Sequence, residues 1–222
     1  MMTIRRGSGQ RRRQLDILSH ADRYAAAAPG GDGAVAAELA RLRAYVDRLE
    51  SERAALWWAI HHDDLTGLAN RRLLNTVGPG MLRDARRYAV LVLDLNGFKP
   101  VNDRYGHAVG DEVLCTVGRR LSGCLVDDLA VRLGGDEFAA ILTESSLVGA
   151  SRDWPSLVRA ISEALAEPMD IDGNRLAVTA SIGVTTGGRE PATVTELIRR
   201  ADLAMYHAKS NRYCSYIAFD QR

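Results

Sequence analysis

Apolar positions fall into three patterns along the chain. Between Val35 and Ile60 they recur at Val35, Leu39, Leu42, Val46, Leu49, Leu56 and Ile60, with Arg53 filling the one remaining place. The steps alternate four and three residues, the seam of a heptad helix. Glu38, Arg41, Arg48, Glu50 and Glu52 occupy outer positions. Two readings follow: a parallel dimeric coiled coil, or one amphipathic helix lying on its own domain. The narrow, sustained seam favours the dimer.

The second pattern is the unbroken β-rich run Tyr88–Leu95, which reads as a central strand. The third is a series of shorter segments. Asp63–Leu74, Asp111–Ser122, Pro155–Ala166 and Val194–Lys209 read as helical. Ala130–Leu133 and Phe138–Leu142 read as strands on either side of Gly134-Gly135, a hairpin. Leu176–Thr186 reads as a strand after an Asp172-Gly173-Asn174 turn, and Cys214–Phe219 as a closing strand. The order β-α-β-β-α-β-α predicts an α/β domain of α+β type, with a mixed, largely antiparallel sheet flanked by helices. Residues 1–33 are expected to be a flexible, Arg-rich segment with a short helix over Leu15–Tyr24, broken at Pro29-Gly30-Gly31-Asp32-Gly33. Residues 34–62 form the seam helix, and residues 63–222 the domain.

Composition narrows the classes. Of 222 residues, the formal charge is only +1, so the chain as a whole is no polyanion binder and no nucleic-acid partner is expected. Arg5, Arg6, Arg11, Arg12 and Arg13 concentrate charge near the start, where a solvated tail is favoured over a nucleic-acid or lipid contact. Three cysteines without CxxC spacing form no disulfide framework, which fits a reduced cytoplasmic chain. No apolar run reaches membrane-span length and no signal peptide is evident, so no membrane association is expected. A sensor, if one acts, is expected on another chain, because residues 1–60 are too short for a sensor domain with its own core.

Two acidic positions stand out. Asp94 lies at the end of the central run, where a charge is costly to bury unpaired. Asp136 and Glu137 follow the Gly-Gly turn. If the two strands are neighbours, Asp94 and Asp136 meet at one sheet edge and call for a cation; oxygen ligands suit Mg²⁺, with Mn²⁺ as an alternative. Gly-Gly-Asp-Glu alone would equally suit a polar hairpin turn.

Five segments in order decide between these. They are Asp64-Leu65-Thr66-Gly67-Leu68-Ala69-Asn70-Arg71, Asp94-Leu95-Asn96-Gly97-Phe98-Lys99-Pro100-Val101-Asn102-Asp103, Tyr105-Gly106-His107-Ala108-Val109-Gly110-Asp111, Arg132-Leu133-Gly134-Gly135-Asp136-Glu137-Phe138, and Ala201-Asp202-Leu203-Ala204-Met205-Tyr206-His207-Ala208-Lys209. Together with Ser181-Ile182-Gly183-Val184, they resemble the GGDEF-domain family of diguanylate cyclases over roughly residues 63–220. The resemblance implies a nucleotidyl-cyclase, ferredoxin-like fold and condensation of two GTP into cyclic di-GMP with loss of two pyrophosphates. It implies Asp94, Asp136 and the Leu95 carbonyl as metal ligands, Asp136 also as base for the ribose 3′-hydroxyl, and Lys99 and Glu137 as its catalytic companions. Asn102 and Asp111 would read guanine, whose N1–H and 2-amino group offer two donors that adenine lacks. His107 would border the pocket, unless it is a turn residue. Gly97 and Phe98 would offer backbone N–H groups to phosphates. Lys209 would reach the terminal phosphates, unless it only favours a helix C-terminus.

Each domain of this family holds one GTP, so a homodimer through residues 35–60 with facing active sites is implied, together with a possible upstream sensor protein. Three departures stand out. Asn96 replaces a common aspartate, a swap expected to be harmless. Leu125 stands where an arginine begins the product-inhibition element ending at Asp128, so feedback is expected to be weak or absent. Arg212 follows Lys209 one residue earlier than the family pattern. The alternative function is a catalytically silent GTP- or cyclic-di-GMP-binding module acting through protein contacts.

Overall fold

A computed structural model describes residues 32–125, 127–147, 153–188, 193–210 and 216–219. The short helix expected over Leu15–Tyr24 lies outside them. Two compact units divide between Trp58 and Ala59.

Helix α1, Asp32–His61, is unbroken over 30 residues. Its seam holds Leu39, Val46, Arg53 and Ile60 at one heptad position and Val35, Leu42, Leu49 and Leu56 at the other. Leu42 and Leu56 of this stripe are 52% and 65% exposed.

The second unit is a six-stranded mixed sheet in the order β1-β3-β4-β2-β7-β8. Its strands are β1 (Ala69–Asn70), β2 (Tyr88–Asn96), β3 (Leu129–Gly134), β4 (Glu137–Thr143), β7 (Thr179–Gly187) and β8 (Tyr216–Phe219). Strand β2 lies between β4 and β7, antiparallel to both, while β1–β3 and β7–β8 pair in parallel. Every residue from Tyr88 to Leu95 is buried, as a strand covered on both faces requires. Ala89, Leu91, Leu93 and Leu95 pack toward α4 (His107–Gly123) and α5 (Trp154–Ala166). Val90 and Val92 face the other way, toward α2 (Arg71–Asp84) and α6 (Val194–Ser210). The mixed sheet flanked by helices is thus as expected.

Three elements differ from the pattern reading. Residues 63–68 are a turn rather than the start of a helix; α2 begins at Arg71, where Asn70 Oδ1 accepts from the N–H groups of Arg72 and Leu73. Helix α3, Phe98–Tyr105, was hidden by Pro100, which sits in the first turn where its missing N–H costs nothing. The apolar run at Leu176–Thr186 spans two sheets. Leu176 ends a small hairpin of β5 (Met169–Ile171) and β6 (Asn174–Leu176), and β7 starts only at Thr179. Asp172 and Gly173 both have positive φ, 47° and 75°, the geometry of a two-residue hairpin turn.

Candidate active site

The carboxyl end of β2 gathers the candidate residues. Asp94 is only 9% exposed, one residue from the end of the apolar run. It pairs in register with Glu137 on β4 and Ser181 on β7, so all three share one face of the sheet. Like charges directly opposite repel, and a cation relieves them. Within the chain that cation is Lys209, in the last turn of α6, whose Nζ lies 2.7 Å from Asp94 Oδ1.

The β3–β4 turn is held by its backbone and by one arginine. Gly135 has φ 53°, which favours glycine, and the register slips between Arg132 and Gly134. Arg132 donates through Nε and Nη2 to the Gly135 carbonyl at 3.1 and 2.9 Å. Its Nη1 donates to both Asp63 oxygens at 2.9 and 3.2 Å. The Leu95 N–H donates to the Asp136 carbonyl at 3.3 Å, which fixes the Asp136 backbone beside the end of β2.

Asp63 also accepts from the Thr66 N–H and hydroxyl, at 2.9 and 2.7 Å. Burial pushes its carboxyl up, but the hydrogen bonds from Thr66 and Arg132 outweigh that and hold it below the usual carboxylate value. Neither Asp63 nor the role of Arg132 was evident from the motifs. The available signal was the Asp-x-x-Thr spacing, which suits a side chain that caps its own turn.

Beyond Asn96 the chain turns through Gly97, at φ 76°, directly into α3. No side chain caps the N-terminus of α3. Lys99 is exposed on that first turn. At the helix's far end, about 12 Å away at the usual rise per residue, Gly106 with φ 86° turns the chain into α4. Asn102, midway along α3, lies against Gly110 of α4: a Cβ on Gly110 would sit 1.9 Å from Asn102 Oδ1. Asp111 follows on the same turn, and His107 opens α4, both exposed. Among the described residues, Lys99, His107, Asp111, Asp136 and Glu137 use their side chains in no hydrogen bond or ion pair. Arg212 lies outside the described residues.

Two positions singled out by the family pattern, the departure Asn96 and the retained Asp128, are engaged within the chain. Asn96 accepts from the Ser181 hydroxyl at 2.9 Å and donates to Thr179 Oγ1 at 3.2 Å, tying β2 to β7 beside Asp94. Asp128 accepts from the Thr143 N–H and hydroxyl at 2.9 and 2.8 Å, and from the Ser146 hydroxyl. Both of its oxygens are engaged within the chain.

Among the described residues, no group of three or more His, Cys, Asp and Glu side chains forms a metal cage. The expected donors are all oxygens, the Asp94 and Asp136 carboxylates and the Leu95 carbonyl, although the residue in register with Asp94 is Glu137 rather than Asp136. An all-oxygen set fits Mg²⁺, which keeps waters and takes substrate phosphates as its remaining ligands. The Lys209 ammonium already places one positive charge against Asp94. No helix among the described residues is long and apolar enough to cross a membrane.

Comparison with known proteins bears on the family and the fold. The chain is 40% identical over 163 residues to the bifunctional diguanylate cyclase/cyclic di-GMP phosphodiesterase MucR of Pseudomonas aeruginosa, covering 70% of this chain and 23% of that one. It is 37% identical over 177 residues to the diguanylate cyclase TpbB of the same organism, covering 77% and 40%. The chain therefore spans less than half the length of these relatives. The structure of the coiled coil and GGDEF domain of DgcB from Caulobacter crescentus, in complex with c-di-GMP, superposes with a TM-score of 0.68 at 25% identity, covering 84% of this chain and 99% of that one. The family model described as diguanylate cyclase, GGDEF domain, matches residues 60–213, and the chain belongs to that GGDEF family.

Proposed function

We propose that this chain is an active diguanylate cyclase that joins two GTP molecules into cyclic di-GMP. The observation that carries the proposal is the end of β2. An uncapped helix N-terminus, a lysine on its first turn, and a carboxylate pair with a lysine counter-ion meet there, while Asn102, a turn further along the same helix, lies against Gly110 of α4, the residue before Asp111.

The helix supplies a natural division of labour. Phosphates lie at the Gly97–Phe98 N–H groups, and Lys99 offsets the negative charge that develops on them. Asn102 and Asp111 hold the guanine edge, and His107 borders it. Asp136, fixed by the Leu95 hydrogen bond, takes the proton from the 3′-hydroxyl as that oxygen attacks the α-phosphorus of the second GTP. Pyrophosphate leaves, and the reverse attack closes the ring. Asp94, Asp136 and the Leu95 carbonyl would hold Mg²⁺, with Mn²⁺ as a substitute, and Glu137 adds negative charge opposite Asp94. When bound, the ion supplies Lewis-acid polarisation of the phosphates.

One domain holds one nucleotide, so two chains must meet. Helix α1 raises the local concentration of the second half-site. An upstream partner that shifts this dimerisation would control activity. Incubation with GTP and Mg²⁺ over a range of protein concentrations, followed by chromatography, tests the reading. Cyclic di-GMP forming with a more than linear dependence on protein is the expected result. GTP binding without product at any concentration would instead identify a silent binding module.

A further inference from the structure

Lys209 holds the carboxylate that a metal needs. Its Nζ is 2.7 Å from Asp94 Oδ1, on a side chain that is 13% exposed, while Lys209 itself keeps 42% of its side chain in solvent. Asp94 faces Glu137 across the strand pair. Placing a nearly buried carboxylate opposite another carboxylate is costly without a positive charge beside it. The chain supplies that charge from α6, which lies close enough because Gly183 on β7 lets it: a Cβ there would sit 1.9 Å from the Ala201 carbonyl.

A divalent ion approaching Asp94 meets an ammonium already bonded to Oδ1 and the repulsion of its charge. The two cations compete for one ligand. A nucleotide changes the competition, because its phosphates offer Lys209 a second anion within reach of the same strand end. We propose that Lys209 is an exchangeable counter-ion: it occupies Asp94 in the nucleotide-free protein, weakens metal binding there, and releases Asp94 when a triphosphate draws it away. Metal and nucleotide thereby bind with positive coupling, each strengthening the other. This rests on the reading of Asp94 as a metal ligand.

The experiment uses metal alone. Mn²⁺ is titrated into the nucleotide-free protein and followed by electron paramagnetic resonance. Lys209→Met is expected to bind Mn²⁺ at least about fivefold more tightly than the wild type, a modest coupling of the usual size. Lys209→Arg keeps the charge and is expected to bind Mn²⁺ as the wild type does. The gain should vanish in the Asp94→Asn, Lys209→Met double variant. Equal or weaker Mn²⁺ binding by a folded Lys209→Met protein overturns the proposal, as does a gain that survives loss of Asp94. If Lys209→Met does not fold, Lys209→Gln serves in its place with the same outcomes. A further arm adds a non-reactive GTP analogue, which should tighten Mn²⁺ binding more in the wild type than in the Met variant. Failure of the wild type to take up any Mn²⁺ beyond that held by the free analogue would instead sink the metal-site reading itself.

Discussion

At the scale of single residues, Gly110 is the clearest case of a residue defined by its neighbour. A methyl group there would overlap Asn102 Oδ1, at 1.9 Å. Because that oxygen is the far end of a flexible side chain, Gly110→Ala should move Asn102 rather than unfold α4. The expected outcome is a KM for GTP raised about tenfold, the loss of roughly one good hydrogen bond to a buried edge, with a melting temperature close to wild type. Steady-state kinetics beside thermal melts separates the two; an unchanged KM would remove Asn102 from base recognition. Asp128 carries a different prediction. Burial lifts its carboxyl above the ordinary value, and the hydrogen bonds from Ser146 and Thr143 only partly offset this. A raised folded value means that the native state binds protons more readily than the unfolded chain. The Asp128 contribution is therefore most favourable below pH 4 and declines as pH rises through the folded value. Asp128→Asn, which can keep these partners, should gain stability relative to wild type between pH 4 and pH 7 in urea unfolding. Neither protein should show tight product inhibition, since the Asp128 oxygens already serve Thr143 and Ser146.

At the scale of elements, α6 and β7 are locked together by Gly183. A Cβ there would lie 1.9 Å from the Ala201 carbonyl and 2.3 Å from the Met205 nitrogen, both backbone atoms that cannot yield singly. Gly183→Ala should push α6 outward at a cost of about 1–3 kcal/mol, the usual range for overpacking, and carry Lys209 away from Asp94. Denaturant melts would measure the first effect and nucleotide titration the second; a variant with wild-type values in both would show that α6 has slack. The same elements explain what was legible in the sequence. Strand β2 and the seam of α1 announce themselves through long periodic or continuous apolar runs. Helix α3 does not, because eight residues with a proline carry too little periodicity. The Asp63 turn was obscured because its meaning depends on Arg132, sixty-nine residues away, which no local pattern reveals. The acidic and amide residues of the site were readable only as an ordered set of motifs. That the Asp94 carboxylate already has a lysine partner required the fold.

At the scale of the whole molecule, the proposed function requires two half-sites to meet, and Arg53 supplies the test. With Leu39, Val46, Arg53 and Ile60 at one seam position and Val35, Leu42, Leu49 and Leu56 at the other, the β-branched and leucine placement follows the two-stranded parallel pattern. In that arrangement Glu38 of one chain stands near Arg43 of its partner, and Arg53 near its partner's Glu52. Among the described residues Arg53 makes no ion pair within its own chain, whereas Arg48 already holds Glu52 at 2.7 Å. A buried seam arginine costs stability but fixes alignment. Arg53→Leu is thus expected to tighten the dimer about tenfold, equivalent to roughly 1.4 kcal/mol, and to shift product formation to lower protein concentration. Arg53→Glu, set among the acidic Glu50 and Glu52, should weaken it. Sedimentation velocity with matched activity curves reads both. Were α1 instead a single helix lying on its own domain, Arg53→Leu would leave the association constant and the concentration dependence unchanged. Opposite shifts for the two variants, moving mass and activity together, tie the seam to the chemistry.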